Sequence, residues 1–200
     1  MSDHADFIEQ GFATARDVLM DVAARAELHL RPETLTKAAR RRCMAGFRQI
    51  AVLVRRLIFL MALSMQVPPA APRAAASVPQ PVGKAPGALR APRYRLPLVP
   101  GLSGAFPERL RSVDRSLAAG PVAAAPALAR WAALHRLMEH PERHALRLAR
   151  TLQRWQAAGE HRPHIAPFTG RQRLGTKFSL VTAVLPRLLK AALERWPDTS

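Results

Sequence analysis

Ten of the chain's eighteen prolines fall between Val67 and Pro107, and that single stretch constrains the fold more than any other feature. Proline fixes φ and lacks a backbone N–H, so neither a helix interior nor a central strand tolerates such a run. The stretch is also rich in alanine and contains no acid. It reads as a basic, extended linker over residues 67–107, with Tyr94, Leu96, Leu98 and Val99 as its one apolar anchor. Any packed core must then come from the flanks, residues 1–66 and 108–200, read here as two separate helical modules.

The upstream flank carries two apolar seams. Ile8, Phe12, Ala15, Leu19, Val22 and Ala26 recur at alternating spacings of four and three, the heptad pattern of a helix that packs along another helix. This predicts a helix from about Asp3 to His29, with Ser2 as its N-cap and Asp3 and Asp6 near the positive end of its dipole. Arg31-Pro32 breaks it. A second helix is expected to start at Pro32-Glu33 and reach about Gln66, with its seam at Cys43, Phe47, Ile50, Val54, Leu57, Met61 and Ser64. Two such helices joined by a tight break fold back as an antiparallel hairpin of coiled-coil character. Counting from the turn places Asp21 near Arg42, Asp17 near Arg48 and Glu9 near Arg55.

The downstream flank reads as three or four shorter helices. Glu108 to Ala119 is the weakest, and Pro126 to Glu139 puts Trp131, Leu134 and Met138 on one face. Pro141 to Ala158 is the best patterned, with Gly159 where a C-cap belongs. The last, Phe178 to Trp196, contains Pro186, which should kink or restart it. The expected fold class is therefore all-α: an N-terminal hairpin, a Pro/Ala-rich linker and a small C-terminal bundle.

Charge then narrows the function. The net charge of +17 comes from 31 basic and 14 acidic residues, which excludes an acidic chaperone or calcium buffer and favours contact with a polyanion. It is unevenly spread: −3 over residues 1–31, +11 over 32–107 and +9 over 108–200. Arginine outnumbers lysine 27 to 4, and arginine, alanine and proline all have GC-rich codons. The arrangement of the arginines therefore says more than their number. Arg143, Arg147, Arg150 and Arg154 follow at spacings of four, three and four, while Ala145, Leu148, Ala149, Leu152 and Trp155 fall on the opposite face. Such a helix has one dry face and one guanidinium face about 16 Å long. Each guanidinium fork can donate two parallel hydrogen bonds to a phosphate.

A second anionic-surface candidate joins Arg40, Arg41 and Arg42 to Phe59, Leu60 and Leu63, which lie off the heptad seam. These six would meet a membrane surface, unless the apolar three bury against the downstream helices. A spanning segment from Phe47 to Val67 is the last alternative. It contains Arg48, Arg55 and Arg56, and its uncharged run, Leu57 to Met65, is too short to cross a bilayer.

Little else suggests chemistry. The single cysteine, Cys43, excludes a disulfide framework. His140 and His144 are four apart, but Pro141 puts His140 at the cap, and the glutamate that zinc proteases place beside their first histidine is missing. His135, His161 and His164 read as surface residues. Gly170 to Lys177 resembles a phosphate-binding loop only superficially, because its lysine and hydroxyl residue come in the wrong order, and Thr176 reads instead as a helix cap. No catalytic set, metal site or cofactor is expected, and a small-molecule ligand is not either.

The expectation is a non-enzymatic interaction or scaffolding protein with a basic face, peripheral to an anionic lipid surface. A nucleic-acid-binding protein without sequence preference is the alternative, and a protein partner through the helical seams stays open. The acidic, amphipathic first thirty residues differ from a secretory signal, so a cytoplasmic place, at the inner face of the membrane, is expected.

Overall fold

The computed structural model describes residues 2–65, 120–165, 168 and 174–196. It is all-α, with five α-helices and one minimal sheet among these residues. The long helices are α1 (Ser2–Arg25) and α2 (Lys37–Ser64); the shorter ones are α3 (Ala125–Glu139), α4 (Pro141–Ala157) and α5 (Thr176–Leu193). The expected helix over 108–119 and the apolar anchor at 94–99 lie outside the described residues.

Both seams of the hairpin are buried as their spacing requires. Ile8, Phe12, Ala15, Leu19, Val22 and Ala26 line α1's inner face, and Cys43, Phe47, Ile50, Val54 and Leu57 answer from α2. Met61 is only partly buried and Ser64 is exposed, its hydroxyl donating to the Met61 carbonyl at 2.8 Å. Gly11 allows a close approach: a Cβ there would stand 2.7 Å from Leu57 Cδ2.

The link between the two helices differs from the tight break expected. After α1, Glu27 and Arg31 both adopt positive φ around a 3-10 turn over Leu28–Leu30. Thr34–Leu35 then forms β1, which pairs antiparallel with β2 (Val122–Ala123) in the register Thr34 to Ala123 and Leu35 to Val122. The Glu33 carbonyl also accepts from the Ala124 N–H at 2.9 Å. Because these backbone groups are committed to a strand, α2 starts at Lys37 instead of Pro32-Glu33. Thr36 is its N-cap, its Oγ1 accepting from the Ala39 N–H at 3.1 Å. Ser2, read as the N-cap of α1, is already helical.

The cross-helix ion pairs expected between α1 and α2 do not form among the described residues. Asp21 accepts from Arg25 Nε at 3.1 Å, one turn along its own helix, while Glu9 and Asp17 face outward. An i,i+4 pair requires no neighbouring helix to present its charge at the right height, so it forms first.

α2 is the hub of the molecule. It packs against α1, α3, α4 and α5, and Phe47, Ile50, Leu53, Val54, Leu57 and Ile58 are wholly buried. A helix whose later turns, from Leu57 to Leu63, are apolar nearly all round suits that position. Residues 1–66 and 108–200, expected as separate modules, do not keep separate cores. Leu134 and Met138 of α3, Leu148 and Leu152 of α4, and Leu185 and Leu189 of α5 join the hairpin residues in one continuous cluster. Polar ties follow the same pattern: Arg16 Nη2 of α1 donates to the Met138 carbonyl of α3 at 3.1 Å.

Proline 186 does not end the last helix, which runs through it. Thr176 is not the cap but the first residue of α5, and the capping position falls to Gly175 at φ 97°. Trp196 closes the downstream part, its Nε1 donating to the Glu160 carbonyl at 3.1 Å.

Candidate anion-binding face

α4 begins directly behind α3. Pro141 sits in its first turn, where a missing N–H costs nothing, and Glu142 favours the positive end of the dipole. At the other end the Glu160 N–H donates to the Trp155 carbonyl at 2.9 Å and the Gly159 N–H to Gln156 at 3.1 Å. This is the paired C-terminal closure that needs a left-handed residue, and Gly159 supplies it at φ 70°. Between these ends, Ala145, Leu148, Ala149 and Leu152 are buried against the hub, and Trp155 is half-buried.

The opposite face is the guanidinium face. Arg143, Arg147, Arg150 and Arg154 are all exposed, and no acid pairs with any of them among the described residues. The far end of the row is fixed by the helix itself. Arg154 Nη2 donates to Thr151 Oγ1 at 3.2 Å, and Thr151 Oγ1 donates to the Arg147 carbonyl at 3.1 Å. His144 sits beside the row. Burial, then the charge of Arg147 and of His140, hold its pKa below the ordinary histidine value, so the face gains no charge from it at neutral pH.

The chain matches no family model, no curated protein and no solved structure. Any function must therefore be argued from these side chains.

The second candidate surface dissolves. Leu60 is buried, and Phe59 and Leu63 are partly buried against the common core, so most of this apolar surface is taken up inside the molecule. Arg41 and Arg42 are exposed and Arg40 half-buried, in the first turns of α2 far from that end. The spanning alternative over 47–67 also fails: among the described residues, no helix is long and apolar enough to cross a membrane. The physical reason is the same in both cases. The apolar surface of α2 is consumed by four helices.

An open groove of about 750 Å³ lies where α1 begins and α2 ends. Glu9 and Glu142 line it opposite Arg16 and Arg195, so acids and bases balance there and it has no cationic excess to hold an anion. Cys43 is buried, and burial pushes its thiol up to about 11, so it is unreactive in the folded chain. No three His, Cys, Asp or Glu side chains gather as metal ligands among the described residues. The loop of Gly170 to Lys177 is described only from Leu174 onward.

One exposed set escaped the sequence reading. Leu180 and Val184 of α5 stand in solvent, flanked along one line by exposed Lys177 and Arg187. Their spacing of three, four and three, in a helix without a single acid, was the available signal.

Proposed function

We propose that this protein is a non-enzymatic interaction protein that docks on polyanionic surfaces through the outer face of α4. The carrying observation is the row of four exposed arginines on a helix whose other face is locked into the core. A helix anchored in this way holds the backbones of its cations at fixed spacing, so only the side chains have to be ordered at the moment of contact. The row suits the phosphates lining a duplex groove and those of lipid headgroups alike.

The test is the double variant Arg147→Gln and Arg150→Gln, which removes two charges and leaves Ala145, Leu148, Ala149 and Leu152 untouched. Binding is measured on phosphatidylglycerol vesicles and on a DNA duplex across a salt series. Each lost phosphate contact should lower the slope of log affinity against log salt by about 0.9 on the duplex. Affinity for both ligands falls. A second readout is the histidine. A bound anion favours the protonated His144, raising its pKa, so binding must tighten as pH falls through that value. If wild-type protein binds neither polyanion at low salt, the row is only a solvated face and the basic bias belongs to codon usage.

A further inference from the structure

α5 is amphipathic in an unusual way. Its inner side, Phe178, Val181, Leu185, Leu189 and Leu193, is buried in the common core. Its outer side carries Lys177, Leu180, Val184, Arg187 and Ala191 in one line, all exposed, at spacings of three and four. Leu180 is 62% exposed and Val184 43%, two of the four large apolar side chains left so open among the described residues. Between Thr176 and Leu193 the helix contains Lys177, Arg187 and Lys190 and no acid at all.

We infer that this face of α5 lies on an anionic bilayer, with Leu180 and Val184 dipping into the acyl boundary and Lys177 and Arg187 at the headgroups. This goes beyond the polyanion reading of α4: it names a partner for a separate face, whose electrostatic part comes from Lys177 and Arg187. Three considerations select a bilayer. A duplex rewards the cations but gives no return for two branched apolar side chains set between them. A protein partner needs roughly 800 Å² of buried surface on each side, far more than two side chains offer. A bilayer accepts a few apolar side chains at a time, provided basic residues hold them at the anionic surface. Because no described helix can cross a membrane, the contact is peripheral.

The experiment compares the full chain with the double variant Leu180→Ser and Val184→Ser on three probes. These are vesicles of phosphatidylglycerol with phosphatidylcholine, vesicles of phosphatidylcholine alone, and a DNA duplex. Wild-type protein should bind the anionic vesicles and not the neutral ones. The variant should lose about tenfold on anionic vesicles, the scale set by withdrawing two partly inserted side chains, and keep its affinity for the duplex. A second measurement does not depend on that variant. Leu180→Cys, labelled with an environment-sensitive fluorophore while Cys43 stays buried, should brighten and shift to the blue on anionic vesicles and not on DNA.

Unchanged vesicle binding by the serine variant, or an unresponsive label, overturns the inference. So does wild-type protein that binds DNA but no vesicle; in that case the α4 reading survives. Equal losses on vesicles and duplex overturn it as well, since the apolar pair would then have no partner of its own. Binding to neither probe sinks both readings together.

Discussion

Trimming Phe47 to alanine should cost about 3–5 kcal/mol, the range for a large aromatic removed from a packed core. The side chain is wholly buried in the middle of the hub helix, so the cavity cannot fill from solvent. Against the roughly 5–15 kcal/mol that holds a domain of ordinary size together, the loss is a large fraction. The informative part is where it is felt. All three tryptophans, Trp131, Trp155 and Trp196, lie outside α1 and α2. Tryptophan fluorescence therefore reports only on the downstream part of the chain. With one common core, Phe47→Ala shifts the fluorescence transition and the helical circular dichroism transition to the same lower denaturant concentration. A fluorescence transition left where the wild type has it would mean that the downstream helices hold together without the hairpin, as two separate modules would.

The second large effect centres on Gly11, and its sign is the point of interest. In an ordinary exposed helix position, glycine to alanine stabilises by up to about 1 kcal/mol. Here the added methyl would meet Leu57 Cδ2 at 2.7 Å and Cδ1 at 3.0 Å, and because Leu57 is wholly buried its side chain must shift within a packed core. Gly11→Ala should accordingly destabilise by about 1–3 kcal/mol, the usual cost of overpacking. On a Leu57→Ala background the obstruction is gone, and the same change should become neutral or favourable. Chemical denaturation of the four proteins in this cycle measures the coupling. A stabilising Gly11→Ala in the wild type would show that the two helices do not approach this closely.

Much of the architecture was legible from spacing alone. The α1 seam is buried throughout, and the dry and charged faces of α4 fall where their period puts them. Gly159 closes α4 through a positive φ that glycine adopts without strain. What escaped was long-range. The start of α2 depends on Leu35 pairing with Val122, and no local pattern in residues 32–37 encodes a partner so distant in sequence. The apolar end of α2 posed the opposite problem. Phe59, Leu60 and Leu63 look surplus to a two-helix seam, and become necessary only once four other helices pack around this one. The misplaced ion pairs share this origin, since Asp21 could be assigned to Arg42 only by ignoring the nearer Arg25. For the charged face, sequence supplied its composition and geometry, while the Leu180 and Val184 line needed burial to separate the inner side of α5 from the outer.

The pairing of β1 with β2 also sets how far the chain must travel. It leaves α2 at Met65 and returns at Gly120, next to the strand that precedes α2. Those points lie at opposite ends of a 28-residue helix, about 42 Å apart at 1.5 Å per residue. A fully stretched backbone covers that distance in about 13 residues, and residues 66–119 supply 54. Reconnection thus uses about a quarter of the available length. Because closing a loop depends only weakly on its length, a chain cut back by some thirty residues there should still reach its own starting end and fold. The distance to be bridged therefore sets only a lower bound on the length between the two points, well short of the residues available.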